Sequence, residues 1–188
     1  NLAVYFQVGH LPRDEVDRLF AEPTRGFFDL DPLALDKAYR ITGGHPHFSQ
    51  LLARELVELR NREHLTYITI REINRVAEKV VDKGQLHIGY LWAEATRAER
   101  FLLLALVALL DQEGTATVGA AYEHLIERRI EPGDLPAAAR ALIRREILAD
   151  HGGQLSFRIG LLREWIERYR DLESLILSEA GGGEGARA

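Results

Sequence analysis

Residues 41–60, ITGGHPHFSQLLARELVELR, set the architecture of the first half of the chain. Two adjacent glycines, Gly43 and Gly44, precede Pro46, which fits the first turn of a helix because a missing N–H costs nothing there. The residues that follow predict an amphipathic helix over 46–60, since apolar side chains recur at helical spacing. These apolar residues are Phe48, Leu51, Leu52, Leu56 and Leu59.

Residues 42–46, which we call the glycine corner, have two interpretations. Glycine adopts backbone angles that a side chain forbids, and it lets the backbone approach another surface closely. The corner therefore predicts either a tight connection between two helices or a helix N-terminus that receives an anion, because N–H groups and the helix dipole favour negative charge there. These residues alone leave both interpretations open.

Capping signals predict further helices around the glycine corner. Pro12 starts a predicted helix over 12–21, and Asp31 is a suitable N-cap for a helix that ends at the corner. Residues 69–72 (TIRE) and 96–99 (TRAE) match the capping box, in which a Thr oxygen and a Glu carboxylate each accept a hydrogen bond from a backbone N–H. Each box is followed by helical periodicity, so the predicted fold class is mainly α.

From residue 97 the pattern becomes that of a smaller domain. Three short helices are predicted, at about 97–112, 118–129 and 136–147. The segment 147–159, ILADHGGQLSFRI, places a Gly-Gly turn between two apolar stretches and predicts a hairpin, after which an amphipathic helix follows. Three helices followed by a two-stranded wing is the element order of a winged helix.

Composition excludes several classes of protein. The chain has 188 residues, of which 46% are hydrophobic and 28% charged, as is typical of one or two small globular domains. Its net charge of −5 argues against general binding to nucleic acid or membranes. Without cysteine there are no disulfides and no thiolate zinc sites. The apolar run FLLLALVALL (101–110) is about half as long as a membrane-spanning helix, and we expect a cytoplasmic protein with no membrane partner.

No motif indicates catalysis by this chain alone. The GxxxxGK[ST] phosphate loop is missing from the sequence, so the chain cannot hold a nucleotide in the P-loop manner. Asp111 and Glu113 follow an apolar run, as magnesium-binding acids do in ATPases, but they more simply end a helix. His45 and His47 are separated by a proline and do not form the i, i+4 pair of a helical metal site. We expect no catalytic residue and no metal site.

The third helix of the second half offers an alternative function. Its arginines Arg140, Arg144 and Arg145 are spaced to meet phosphates or guanine edges if the winged helix binds DNA. Residues 97–170, however, contain eleven Lys plus Arg and eleven Asp plus Glu, so pairing with neighbouring acids explains the arginines equally well. The alternative is the DNA-binding module of a transcription regulator.

Five stretches of the chain occur in an order typical of one protein family. They are LPRDEVDRLF (11–20), LDKAYRITGGHPHFSQLLARELVE (35–58), TIREINRVAEKVVDKG (69–84), YLWAEATRAERFLLLALVAL (90–109) and LSFRIGLLREWI (155–166). Together they resemble the C-terminal half of STAND-type signalling ATPases, which are AAA-like members of the AAA+ superfamily from archaea and bacteria. The resemblance covers about residues 3–170, and TGGHP before a leucine-rich helix is its most specific part.

The resemblance implies a division of the chain. Residues 1–11, which include the predicted strand VYFQV (4–8), would be the end and linker of an ATPase core that this chain lacks. Residues 12–95 would form the helical lid that follows such a core, and residues 96–170 the winged helix. Residues 171–188 lie beyond the resemblance; we expect the end of a C-terminal helix and, from the glycine-rich composition of GGGEGARA (181–188), a disordered tail. The expected fold is thus a helical AAA+ lid bundle followed by a winged helix of three helices and a small β-hairpin.

The resemblance also implies a binding role for the glycine corner. In this family a glycine-x-proline motif lies against the bound nucleotide. Carried over to this chain, Gly44, His45 and Pro46 would approach the adenine and phosphates of ATP or ADP, and Thr42 and Gly43 would shape the turn. The phosphate loop and the magnesium acid would belong to the missing core, so ATP or ADP with Mg²⁺ is expected only in the full-length parent.

The expected function is that of a C-terminal regulatory fragment in a nucleotide-switched signalling ATPase. The family's winged helix usually acts as a clamp on the ADP state within the same chain. The expected partner is the missing N-terminal core, and a protein partner or self-association is a further expectation. Binding to DNA belongs to the alternative function.

Overall fold

The fold is mainly α, as the capping signals predict. The structure, a computed structural model, describes residues 9–83, 85–110 and 114–181, and most of these residues are helical. The strand predicted at 4–8, the acids Asp111 and Glu113 and most of the predicted tail lie outside the described residues. The chain divides into two compact units, Asn1–Lys83 and Gly84–Ala188.

The first unit is a small helical bundle. Its elements are α1 (Arg13–Ala21), β1 (Asp29–Leu30), α2 (Pro32–Thr42), α3 (Pro46–Glu63), β2 (Tyr67–Ile68) and α4 (Ile70–Lys83). Each helix buries one apolar face, and α3 packs against α4 while α2 contacts both. The buried core includes Val16, Phe20, Ala34, Ala38, Phe48, Leu52, Leu56, Ile73, Val76 and Val80.

The helices of this unit begin at the capping residues that the sequence predicts. Asp31 accepts a hydrogen bond from the N–H of Leu33 at 2.7 Å, which caps α2. At the start of α4, the Glu72 carboxylate accepts from the N–H of Thr69 at 2.9 Å. The Thr69 hydroxyl donates to the same carboxylate oxygen at 2.7 Å and accepts from the N–H of Arg71 at 3.2 Å. Local side-chain chemistry therefore fixes where both helices start.

A two-residue parallel pairing joins the segment before α2 to the segment before α4. In this pairing β1 and β2 align Asp29 with Tyr67 and Leu30 with Ile68. The N–H of Asp31 donates to Ile68 O at 2.9 Å. The pairing has no sequence signal of its own, because two residues are too few to show strand periodicity.

The second unit combines helices with a small antiparallel sheet. Its elements are α5 (Gln85–Ala93), α6 (Arg97–Leu109), β3 (Ala116–Thr117), α7 (Val118–Glu127), α8 (Leu135–Arg144), β4 (Leu148–Asp150), β5 (Gln154–Phe157), α9 (Gly160–Tyr169) and α10 (Leu172–Gly181). The strand order is β3-β5-β4. The hairpin of β4 and β5 lies where the Gly-Gly turn predicts it. Strand β3, which pairs Ala116 with Leu155, adds a third strand that the sequence did not indicate.

Helix α5 groups with the second unit, although the expected domain boundary lies after it. Trp92 of α5 packs against Trp165 of α9 with ring centroids 6.2 Å apart. The guanidinium of Arg170 lies 4.3 Å from the Trp165 ring centroid, which adds a cation–π contact. These contacts explain why α5 belongs with α9 and why the two units separate at residue 84.

Helix α6, which carries the FLLLALVALL run, is an interior helix. It has 13 residues, and its side chains from Phe101 to Leu106 are buried. Among the helices that the structure describes, none combines the length and apolar character needed to cross a membrane.

Glu99, in the first turn of α6, is a buried carboxylate with two kinds of partner. It accepts a hydrogen bond from the N–H of Thr96 at 2.7 Å, and the Thr96 hydroxyl accepts from the N–H of Glu99 at 3.3 Å, so the predicted capping box is complete. The guanidinium of Arg145, which follows α8, lies 2.8 Å from the same carboxylate, whose side chain is 6% exposed. Arg145 therefore neutralises a charge that water barely reaches.

We predict that Arg145→Ala lowers the free energy of unfolding by about 3 kcal/mol, because it leaves a buried carboxylate without its ionic partner. Arg144→Ala is the matched control: its side chain is exposed at the end of the same helix, and we expect a change below about 0.5 kcal/mol. Thermal unfolding of both variants measures the difference. Equal effects of the two substitutions would contradict this role of Arg145.

Candidate functional site

The glycine corner is the connection between α2 and α3. Helix α2 ends at Thr42, and Gly43 adopts the left-handed conformation with φ of 59° while its N–H donates to Tyr39 O at 2.7 Å. Gly44 also has a positive φ, 72°. Both angles favour glycine over any other residue. The pair of glycines is therefore required by the backbone path between the two helices.

Thr42 shapes the corner through its hydroxyl. The Oγ1 atom donates to Ala38 O at 2.9 Å and accepts a long hydrogen bond from the N–H of Gly44 at 3.4 Å. The N–H of His45 donates to Thr42 O at 3.0 Å. Thr42 is fully buried, so its hydroxyl is used within the turn and is not presented to a ligand.

The segment before α1 crosses the corner and forms two hydrogen bonds with its backbone carbonyls. The N–H of Leu11 donates to Gly44 O at 2.7 Å. The ring of His10 lies 2.7 Å from Gly43 O through its Nδ1 atom. Because a carbonyl oxygen only accepts, Nδ1 of His10 carries the proton in this contact. Two successive glycine carbonyls thus hold two successive residues of the incoming segment.

Gly44 is the point of closest approach. A Cβ atom placed at this position would lie 2.2 Å from the carbonyl oxygen of Leu11. No side chain fits there without moving the incoming segment. The close approach that glycine permits at the corner is therefore made by the chain's own backbone.

Salt bridges hold α1 against α2 beside the corner. The Arg13 guanidinium lies 2.8 Å from the Asp36 carboxylate and stacks over the Tyr39 ring at 5.3 Å from its centroid. The hydrogen bond from Arg13 lowers the pKa of Asp36 below its usual range. Asp36 also pairs with Arg40 at 2.7 Å. This network fixes the direction from which residues 10–11 reach the corner.

The outer part of the corner is formed by histidine and proline. His45 and Pro46 are half-buried, whereas Thr42, Gly43 and Gly44 are buried. The His45 ring packs against His10 at 5.2 Å and against Phe48 at 4.6 Å between centroids. The five predicted residues are therefore adjacent, but among them only His45 and Pro46 are partly accessible to solvent.

The first turn of α3 contains a buried serine that the corner residues precede. His45 is the N-cap and makes no side-chain capping hydrogen bond, and Pro46 contributes no N–H. Ser49, which the sequence pattern did not single out, is fully buried, and its hydroxyl has no hydrogen-bond partner among the described residues. Only burial reveals this serine, because Ser in a helix is otherwise an ordinary residue.

The three arginines of the alternative function have different environments. Arg140 and Arg144 are exposed on α8, one helical turn apart. Arg145 pairs with buried Glu99, so its guanidinium is engaged within the unit. All three arginines are therefore exposed, but Arg145 is engaged in an ion pair within the unit.

The side chains of the predicted wing are connected mainly to each other. Nε2 of His151 lies 3.1 Å from the Ser156 hydroxyl, and Arg158 lies 3.4 Å from Glu146. Within the described ranges, no group of three or more His, Asp or Glu side chains is arranged to hold a metal ion.

Comparison of the chain with protein-family models, with curated proteins and with solved structures gives no match. The functional interpretation of the corner therefore depends on its geometry and on the sequence resemblance.

We predict that Gly44→Ala lowers the free energy of unfolding by about 3 kcal/mol, because it combines a left-handed backbone with a collision against Leu11 O. Gly26→Ala is the matched control. Gly26 has φ of 83°, but a methyl group added there would meet only open space, so only the backbone cost of about 1 kcal/mol is expected. Chemical denaturation compares the variants, and equal losses would show that the Leu11 contact contributes nothing.

Proposed function

We propose that this chain is the regulatory part of a nucleotide-switched signalling ATPase of the STAND type. In this proposal the first unit is the helical lid over ATP or ADP, and the second unit contains the winged helix that passes on the conformational change. A preceding ATPase core supplies the phosphate loop and the magnesium acid. This chain alone carries out no catalysis.

The observation that carries the proposal is the pair of hydrogen bonds at the glycine corner, one from the backbone N–H of Leu11 and one from the ring of His10. Residues 10–11 arrive from the direction of the proposed core and bond to the carbonyls of Gly43 and Gly44. A movement of that segment acts directly on the turn from which α3 begins. Residues 10–11 and the N-terminus of α3 are therefore closely coupled, because there is no free space between Gly44 and Leu11.

The nucleotide contact is assigned to the outer part of the corner. His45 offers a ring and Pro46 an apolar face, and both are half-buried. The helix behind them begins at Pro46, and in this proposal the positive end of its dipole faces a phosphate. Gly43 and Gly44 contribute through the turn geometry.

Switching requires two states that a ligand stabilises to different extents. ATP and ADP differ in their γ-phosphate, so a corner that contacts the phosphates can favour one position of the first unit over another. The winged helix follows as a rigid body and changes which surface is available to a protein partner.

We predict that His45→Ala and Pro46→Ala in the full-length parent each weaken ADP binding about tenfold, because each removes a contact worth roughly 1.4 kcal/mol. Pro32→Ala is the matched control, since Pro32 holds the equivalent first position of α2. Titration with ADP and ATP gives the affinities, and limited proteolysis reports the conformational state. Wild-type affinity and wild-type proteolysis in both variants would rule the proposal out.

The alternative, DNA binding by the second unit, is favoured by the exposure of Arg140 and Arg144. If it is correct, the chain binds duplex DNA with a steep salt dependence, and Arg140→Ala with Arg144→Ala reduces that slope by about 2. Arg54→Ala, which removes an exposed arginine of α3, is the control. Binding that is absent at low salt, or that both sets of variants affect equally, would exclude this function.

A further inference from the structure

A small pocket opens in the first unit at a distance along α3 from the glycine corner. It lies between the loop of residues 23–28 and the C-terminal half of α3, with Phe27, Val57, Arg60 and Asn61 among its walls, and has a volume of about 220 Å³. Sites for drug-sized molecules are usually larger, at about 300–1,000 Å³. The pocket therefore suits one large side chain of a protein better than a nucleotide or a cofactor.

The rim of the pocket is apolar and open to solvent. Phe27 is 67% exposed and Val57 38%, whereas the neighbouring Phe28 is buried. The loop is held in this form by its own hydrogen bonds, because the N–H groups of Phe27 and Phe28 both donate to Thr24 O. An exposed aromatic ring beside an aliphatic side chain on a hydrogen-bonded loop is typical of a protein interaction surface.

Arg60 gives the pocket a positive charge that the unit does not neutralise. Its Nη2 atom donates to Phe27 O at 2.9 Å and its Nη1 to the Asn61 side chain at 3.2 Å. The Nε atom is buried and has no hydrogen-bond partner among the described residues. Among the described residues, the salt bridges of α3 involve Arg54, Glu55, Glu58, Arg62 and Glu63 but not Arg60. A half-buried guanidinium whose hydrogen bonds go only to neutral groups favours a carboxylate from outside.

We propose that this pocket docks a segment of a partner protein that presents one large apolar side chain next to a carboxylate. The apolar side chain enters between Phe27 and Val57, and the carboxylate pairs with Arg60. Phenylalanine and arginine are both enriched in the centres of protein interfaces, where a few such anchors supply most of the binding energy. The proposal does not depend on nucleotide contact at the glycine corner.

Two segments outside the described residues do not have the required chemistry. Residues 1–8, NLAVYFQV, contain no acidic residue, and residues 182–188, GGEGARA, contain no large apolar residue. Charge complementarity to Arg60 therefore favours a partner over either of these two segments. A second copy of this chain is the competing occupant of the pocket. The experiment must therefore distinguish binding of a partner segment from self-association.

The test is a selection of short peptides from a displayed random library against the 188-residue chain. We expect the enriched peptides to share an apolar residue adjacent to Asp or Glu. Binding of the synthesised peptides should weaken at least about tenfold with Phe27→Ser and with Arg60→Gln. Arg60→Lys, which keeps the charge but loses the planar fork, should retain part of the affinity and the preference for acidic over amidated peptides.

Two controls make the result specific. Leu86→Ser alters a side chain that is 87% exposed in the other unit, and Arg54→Gln removes an exposed arginine of the same helix; neither should change peptide binding. Circular dichroism confirms that every variant is folded. No enrichment, a consensus without acid, or equal losses in the controls would overturn the proposal. A concentration-dependent dimer abolished by Phe27→Ser, measured by sedimentation, would overturn it in favour of self-association.

Discussion

The first unit depends on one backbone contact, that between Leu11 and Gly44. Its 2.7 Å hydrogen bond requires the two chain segments to lie so close that a Cβ at Gly44 would be 2.2 Å from Leu11 O. This approach determines where α1 starts relative to α2 and α3, and the Arg13–Asp36 salt bridge then secures α1 to α2. Apolar side chains fill the interior of the bundle. Only a glycine at residue 44 allows the segment before α1 to pass this close to the connection between α2 and α3.

Elements with local signals could be predicted from the sequence, and elements that depend on distant residues could not. Asp31, Thr96 and the two corner glycines act on their immediate neighbours, so the starts of α2, α3 and α6 follow from them. Strands β1, β2 and β3 have two residues each and exist only because a distant partner pairs with them. Helix α5 shows no amphipathic pattern in the sequence, because apolar side chains occur on both of its faces: Ile88 and Trp92 are buried, whereas Leu86 and Tyr90 are exposed.

The same distinction applies to the candidate site. The sequence identified Gly43 and Gly44 as positions of close approach, since no other residue type allows it. It could not say that Leu11 makes that approach, because the contact spans more than thirty residues of chain. Likewise the sequence grouped Arg145 with Arg140 and Arg144, and only the folded chain assigns Arg145 to buried Glu99. The type of a residue and its spacing in the sequence predict which interactions it can form. Its neighbours in the folded chain determine which of them it forms.

Helix α3 connects the two surfaces that we propose to bind ligands. Its 18 residues span about 27 Å, with His45 and Pro46 at the N-terminal end and Val57 and Arg60 toward the C-terminal end. It packs against α4 and α2, and we expect it to move as one body. The loop of residues 23–28 is tied to this helix, because Arg60 of α3 donates to Phe27 O. If both proposals are correct, the two sites share one helix, and a small rotation of α3 would alter both of its ends together.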